Sequence, residues 1–344
     1  PAVSIEASGM FLVPFFLDRA ERNYAPLLIA DFLFAQINQS NAFVAAENTM
    51  HVSFRTRVDL LASTNSRITI SGLTGTVTGT NPALAICVWP TDCPAARRAA
   101  DQCCDSQHPA GAMTLGTTGS WDRAAGTLVL EVVSDLLAHV EHGFSFTLNN
   151  PETTRDPVDF VGIAASGIYV PQYNATLGTG DKRPLLVAGF VVKKIGQDTT
   201  AASGLNTIFV TLRAQASLGE VRGVTSVVIE GLVGGIAPDG DVPIRTRPDA
   251  GIGNTARWKR ATGKLELILG STGVFEALVD YVVEVSFVNP SYGQDPATEI
   301  SIAALGVNST IIPATAMIVA SGNEAPFLVA DFLNKSIGQS TTVA

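Results

Sequence analysis

From Met50 onward the chain alternates: Met50, Val52, Phe54, Thr56, Val58 and Leu60 are separated by His51, Ser53, Arg55, Arg57 and Asp59. A period of two sends successive side chains to opposite faces, so this stretch predicts a strand with one face buried and one in water. Ile208, Val210, Leu212, Ala214 and Ala216 repeat the pattern. Shorter apolar runs at 67–72 and 225–231 each end on a glycine turn, and runs at 128–133 and 265–269 come later. Phe144, Phe146 and Leu148 lead into Asn150-Pro151, as Tyr281, Val283, Val285 and Phe287 lead into Asn289-Pro290. Segments beginning at Pro26, Pro184 and Pro326 read as lead-in strands, because proline, lacking an N–H, is tolerated at a strand's first residue. A sustained 3.6-residue period is almost missing, and single helical turns fit only at 134–140 and 273–279. About seven or eight short strands in each half, with regular turns, predict an all-β fold of Greek-key, immunoglobulin-like sandwiches.

The halves are copies. WDRAAGTL from Trp121 and WKRATGKL from Trp258 share W-x-R-x-x-G-x-L, 137 residues apart, and the two Asn-Pro pairs lie 139 apart. The glycine turns at Gly72 and Gly231 lie 159 apart, so the first copy carries extra residues between Leu73 and Trp121, where all four cysteines sit. Self-similarity on this scale predicts tandem units. Residues 1–24 read as the end of a preceding repeat, 25–183 as repeat one with a cysteine-loop insertion at 87–104, 184–324 as repeat two, and 325–344 as the first strand of a following repeat. That division, with a start at Pro1 and no leader, reads as a piece of something longer. Trp121, Arg123 and Gly126, like Trp258, Arg260 and Gly263, are expected to be structural. The ring buries against the sheet, the guanidinium stacks or bonds at its edge, and the glycine supplies a positive φ.

Composition narrows the function. With 31 acidic against 22 basic residues the net charge is −9, which disfavours a phosphate-binding surface and hence nucleic acid. No apolar run reaches the ~20 residues that span a bilayer. Cys87, Cys93, Cys103 and Cys104 are an even set at spacings that do not suit zinc. Because adjacent Cys103 and Cys104 pair poorly with each other, each is expected to bridge to Cys87 or Cys93, in either of two connectivities. Disulfides imply an oxidising compartment, so the chain is expected to be secreted, at a cell surface. Asn38, Asn174, Asn308 and Asn334 open N-x-S/T sequons and are glycosylation candidates, Asn174 and Asn308 in the same region of consecutive units. His139 and His142 face opposite ways on a strand and read as a solvated turn, and His51 as a solvated strand position. The acidic loops at 238–241 and 289–295 lack calcium-loop spacing. No catalytic or phosphate-binding motif is present, so neither an enzyme, a metal nor a cofactor is expected.

The signature, its FSFTLNNP-type strand and the Ala-Ser-Gly closure resemble the long tandem sandwich repeats of very large secreted proteins of algae and other protists. Repeat two departs from this with VEVSFVNP and no cysteine loop. The resemblance implies a structural role in a surface coat, adhesive array or filament such as a flagellar hair. Partners are then other copies of the chain or further repeats. The alternative is a carbohydrate- or cell-surface-binding adhesion module, with Trp89 as its exposed aromatic and glycans as its ligands. A virus surface or fibre protein is a third reading.

Overall fold

The computed structural model describes residues 4–5, 15–16, 22–25, 27–89, 114–332 and 336–340. The short strands β1 (Ser4–Ile5) and β2 (Phe15–Phe16) pair antiparallel. A first run of strands follows: β3 (Phe32–Gln39), β4 (Glu47–Thr56), β5 (Arg67–Ser71), β6 (Asn81–Trp89), β7 (Leu115–Asp122), β8 (Thr127–Val132), β9 (His142–Asn149), β10 (Gly162–Ser166), β11 (Val170–Asn174) and β12 (Thr176–Leu177). The second run is β13 (Phe190–Gln197), β14 (Leu205–Ala214), β15 (Leu218–Gly219), β16 (Val224–Glu230), β17 (Gly240–Arg247), β18 (Thr255–Lys259), β19 (Lys264–Ile268), β20 (Val274–Phe275), β21 (Tyr281–Val288), β22 (Ser301–Gly306), β23 (Ser309–Ala316) and β24 (Ile318–Val319).

Each run makes one ten-stranded sheet, and β15 and β20 of the second pair separately as a two-stranded one. The order is β11-β10-β5-β8-β7-β6-β9-β4-β3-β12 in the first and β23-β22-β16-β19-β18-β17-β21-β14-β13-β24 in the second, the same path with counterparts in every place. In β17, residues 240–243 pair with β18 and residues 244–247 with β21. The strand thereby turns the corner between two layers, and β6 does the same between β7 and β9. At the far edge β12 lies parallel to β3, and β24 parallel to β13. Because β12 follows directly on β11, the two ends of the order are one stretch of chain, which closes the sandwich. Both halves are immunoglobulin-like Greek-key sandwiches.

The alternating residues behave as their period requires. Met50, Val52 and Phe54 lie in the core of the first sandwich, and Ile208, Val210 and Leu212 in that of the second. Three expectations are corrected. Each main sheet has ten strands, because edge segments of two residues join the body. The stretches 134–140 and 273–279 are turns around short bridges, and no α-helix occurs among the described residues. The lead-in strands begin only at Phe32 and Phe190, because Leu27 (φ 59°), Leu185 (φ 57°) and Phe327 (φ 58°) adopt the left-handed conformation and break the extended run.

Candidate functional site

The signature residues do the same work twice. Trp121 and Trp258 are buried in the two cores. The Trp121 indole donates to the carbonyl of Thr78, whereas Trp258 packs against Phe287 at 4.6 Å and its indole N–H has no acceptor. Gly126 (φ 61°) and Gly263 (φ 58°) accept the backbone N–H of Leu73 and Leu232 at 2.9 Å. A Cβ at either glycine would sit 2.7 Å from that backbone, so only glycine fits. Arg123 and Arg260 differ from expectation. Their side chains are exposed, and what recurs is the backbone N–H, donated to Thr80 Oγ1 and Asp239 Oδ1.

Trp89 is not an exposed platform. It is 8% exposed, stacks on the His51 ring at 5.9 Å, and lies so flat on β9 that a Cβ at Gly143 would come within 2.3 Å of it. His51 is accordingly half-buried. His142 is also buried rather than solvated. Its Nε2 meets the carbonyl of Leu137 at 3.1 Å, its ring lies 5.8 Å from Phe54, and burial pulls its pKa below the ordinary value while the Leu137 contact opposes that shift. His139 alone is an exposed turn residue. Among the described residues no cluster could hold a metal ion. Cys87 is disulfide-bonded; Cys93, Cys103 and Cys104 lie outside the described residues. Asn174 and Asn308 are exposed and Asn38 half-buried, while Asn334 lies outside the described residues. Asn174 ends β11 whereas Asn308 turns between β22 and β23, so they stand at opposite ends of corresponding hairpins.

Among the described residues, the most extensively bonded polar side-chain cluster is one that no sequence motif marks. Asn48 Nδ2 donates to Gln39 Oε1 and to Asn150 Oδ1, both at 2.9 Å, and all three side chains are buried. Gln39 Nε2 reaches on to the carbonyls of Asp181 and Leu186, and Asn150 Nδ2 to those of Asn41 and Phe43. In the second sandwich Asn206 Nδ2 donates to Gln197 Oε1 at 2.7 Å and to Asn289 Oδ1 at 2.8 Å. Gln197 reaches the carbonyls of Asn323 and Leu328, and Asn289 those of Thr199 and Ala201. Each cluster therefore clasps the segment that leaves its own sandwich.

That segment is a joint. Leu185 belongs to the first core, while Leu186 and Ala188 pack with Ala42 of the first sandwich and Ala216 of the second. Val187 exchanges both backbone hydrogen bonds with Arg155, Ala188 donates to Ala42 at 2.7 Å, and Pro184 accepts from Val158. The Asp181 carboxylate pairs with Arg222 of the second sandwich, and Phe43 of the first packs against the second core. Every main-chain bond of this set recurs downstream: Val329 with Gln294, Ala330 with Thr200, and Ala297 with Pro326. An open cleft of about 810 Å³ beside the first joint is lined by Glu152, Glu220 and Arg222, with Phe43 its one aromatic.

No protein-family model matches the chain, and no curated protein matches it. Solved structures do. The C-terminal domain of the Streptococcus agalactiae antigen I/II polypeptide BspA aligns at 8% identity and TM-score 0.37, over 82% of this chain and 98% of that one. A C-terminal fragment of the S. agalactiae major pilin GBS80 aligns at 7% and 0.28, over 84% and 91%. The S. aureus collagen adhesin gives 10% and 0.20, over 83% and 91%. At such identities a likeness concerns fold only, and the sandwich assignment rests on the sheets themselves. No described helix is long and apolar enough to cross a membrane.

Proposed function

We propose that this chain is an extracellular structural repeat protein, without catalytic activity, whose sandwich units pack end to end in a surface filament or coat. The observation that carries the reading is the duplicated clasp: two sandwiches hold the segment that follows them through the same Gln-Asn-Asn cluster and the same backbone bonds. A flexible tether would not need buried side chains spent on it, whereas a rod of fixed repeat does. The disulfide-bonded Cys87 and the sequons at Asn174 and Asn308 suit a secreted, glycan-bearing surface. The adhesion alternative loses its aromatic platform, because Trp89 is buried.

Negative-stain microscopy of native material tests this directly. Stiff, axially periodic particles with one sandwich per repeat are expected. Flexible beads on a string would overturn the reading, as would saturable glycan binding that is lost on mutating the cleft residues Glu152 and Arg222.

A further inference from the structure

The joint at 183–191 is two-sided, and its sequence occurs three times. Residues 25–33 read APLLIADFL and residues 325–333 read APFLVADFL, identical at seven of nine positions, with RPLLVAGFV at 183–191 between them. Where the sandwich upstream is described, the first and third residues after the proline plug its base: Leu185 is 2% exposed and Val187 0%, Phe327 0% and Val329 2%. At the first occurrence the same positions stand in water, Leu27 at 85% and Ile29 at 76% exposed. Their neighbours Leu28 and Ala30 already pack on the first core. Among the described residues, the upstream face of this joint is the one left without a partner.

The two joints whose upstream sandwich is described differ in what stands opposite the fifth residue after the proline. Opposite Gly189 stands Thr154, close enough that a Cβ on Gly189 would lie 3.2 Å from the Thr154 Cβ. At the corresponding place in the second joint the residues are exchanged: Asp331 stands opposite Gly293, where an added Cβ would lie 2.3 Å from the Asp331 Cβ. Thr154 precedes the bridge residue Arg155 as Gly293 precedes Gln294, so the positions correspond. A base offers either threonine or glycine, and the incoming segment answers with glycine or aspartate. A β-carbon added at Gly293 has no room beside that of Asp331, and one added at Gly189 fits only if Thr154 yields by a few tenths of an ångström.

From this we infer that Leu27, Ile29 and Asp31 form a selective docking face whose occupant is another sandwich unit of this kind, one carrying glycine at the position of Gly293. This rests on the reading of the chain as stacked units, and adds which unit follows which. The first sandwich, with Thr154 in its base, is disfavoured as the occupant, because a Cβ opposite Thr154 fits only if the threonine gives way by a few tenths of an ångström. The base of the second is accepted, since it already holds the near-identical 325–332 stretch. Leu27 is smaller than Phe327, whose ring edge lies 2.6 Å from where a Cβ on Gly235 would be, so a leucine leaves part of that site unfilled.

The test uses the full chain. Phe327→Ser with Val329→Ser should free the second base, and sedimentation velocity should then show concentration-dependent head-to-tail association that the unaltered chain lacks. Adding Leu27→Phe should tighten association several-fold. Adding Gly293→Thr should weaken it at least tenfold, and Asp31→Gly on top should restore it. A freed chain that keeps its strand circular dichroism yet stays monomeric overturns the inference, as does association indifferent to Gly293→Thr. Should the freed variant not fold, the unaltered joint gives the same answer. Gly293→Thr should abolish amide-exchange protection at Val329, and Asp331→Gly should bring it back; no change in either overturns the selection rule. If Val329 exchanges like a free loop even in the unaltered chain, it is the stacked-unit reading itself that falls.

Discussion

A buried amide has four hydrogen-bonding positions to satisfy; Asn48 and Asn206 give both donors to their neighbours, and Asn48 Oδ1 accepts from the Asn41 amide while the buried Asn206 Oδ1 has no partner. Asn206→Ala would leave Gln197 Oε1 and Asn289 Oδ1 without the donor that each now has. At about 1–3 kcal/mol for each of the two orphaned groups, the second sandwich should lose about 2–6 kcal/mol in denaturant unfolding. A loss below about 0.5 kcal/mol would show that the clasp does not hold the base, a shift within the range of an ordinary surface substitution. His142 gives a prediction in pH. Its folded pKa lies below the unfolded value near 6.5 because burial disfavours the charged ring. The unfolded chain therefore takes up the proton first, so the stabilisation is complete above pH 6.5 and declines as pH falls from there toward the folded pKa. His142→Phe, beside Phe54 and in the register place that Tyr281 holds in the second sandwich, should flatten that decline in melting curves taken across the window. A parallel decline in the variant would assign the effect to another group.

At the scale of elements, alternation and glycine turns made the strands legible, and the duplicated tryptophan run made the repeat legible. Both are local signals. The clasp is not local, since Asn48 meets Asn150 across more than a hundred residues. Its trace was nevertheless present: Asn48 and Asn206 stand on the apolar phase of their strands, in step with Met50 and Ile208, where a polar residue needs a partner. The joint was misread for a different reason. Its apolar residues and leading proline have the composition of a strand, but a left-handed residue behind the proline turns the segment so that alternate side chains enter two different sandwiches. Propensity describes a pleated, half-buried surface and cannot distinguish one neighbour from two. Trp89 and His142 were misplaced similarly, because a ring's burial depends on what another strand lays over it, here Gly143 and Phe54.

At the scale of the whole molecule, the joint adds to the stability of both neighbours. Burying Leu185 in the upstream core and Val187 at the joint contributes about 1.5–3 kcal/mol each, while Leu186 and Ala188 pack with Ala42 and Ala216 across it. Neighbouring sandwiches are thus expected to unfold with mutual support, as repeat arrays do. Mutations at a joint should accordingly lower the midpoints of both sandwiches, whereas mutations deep in one core act chiefly on that core.

The parallel edge pairs, Thr176 with Gln36 and Leu177 with Ile37, and Lys194 with Ile318 and Ile195 with Val319, carry one more implication. In each sandwich the strand that receives the chain and the strand that releases it run side by side in one direction, so tension applied at the two joints drags them lengthwise past each other. Every bridge between them, including the one from the Gly178 amide to the Ile37 carbonyl, is then loaded together instead of peeling in sequence. Pulled in an optical trap, each sandwich should hold its length and then yield in a single abrupt rip; a gradual creep would mean that the edge bears no load.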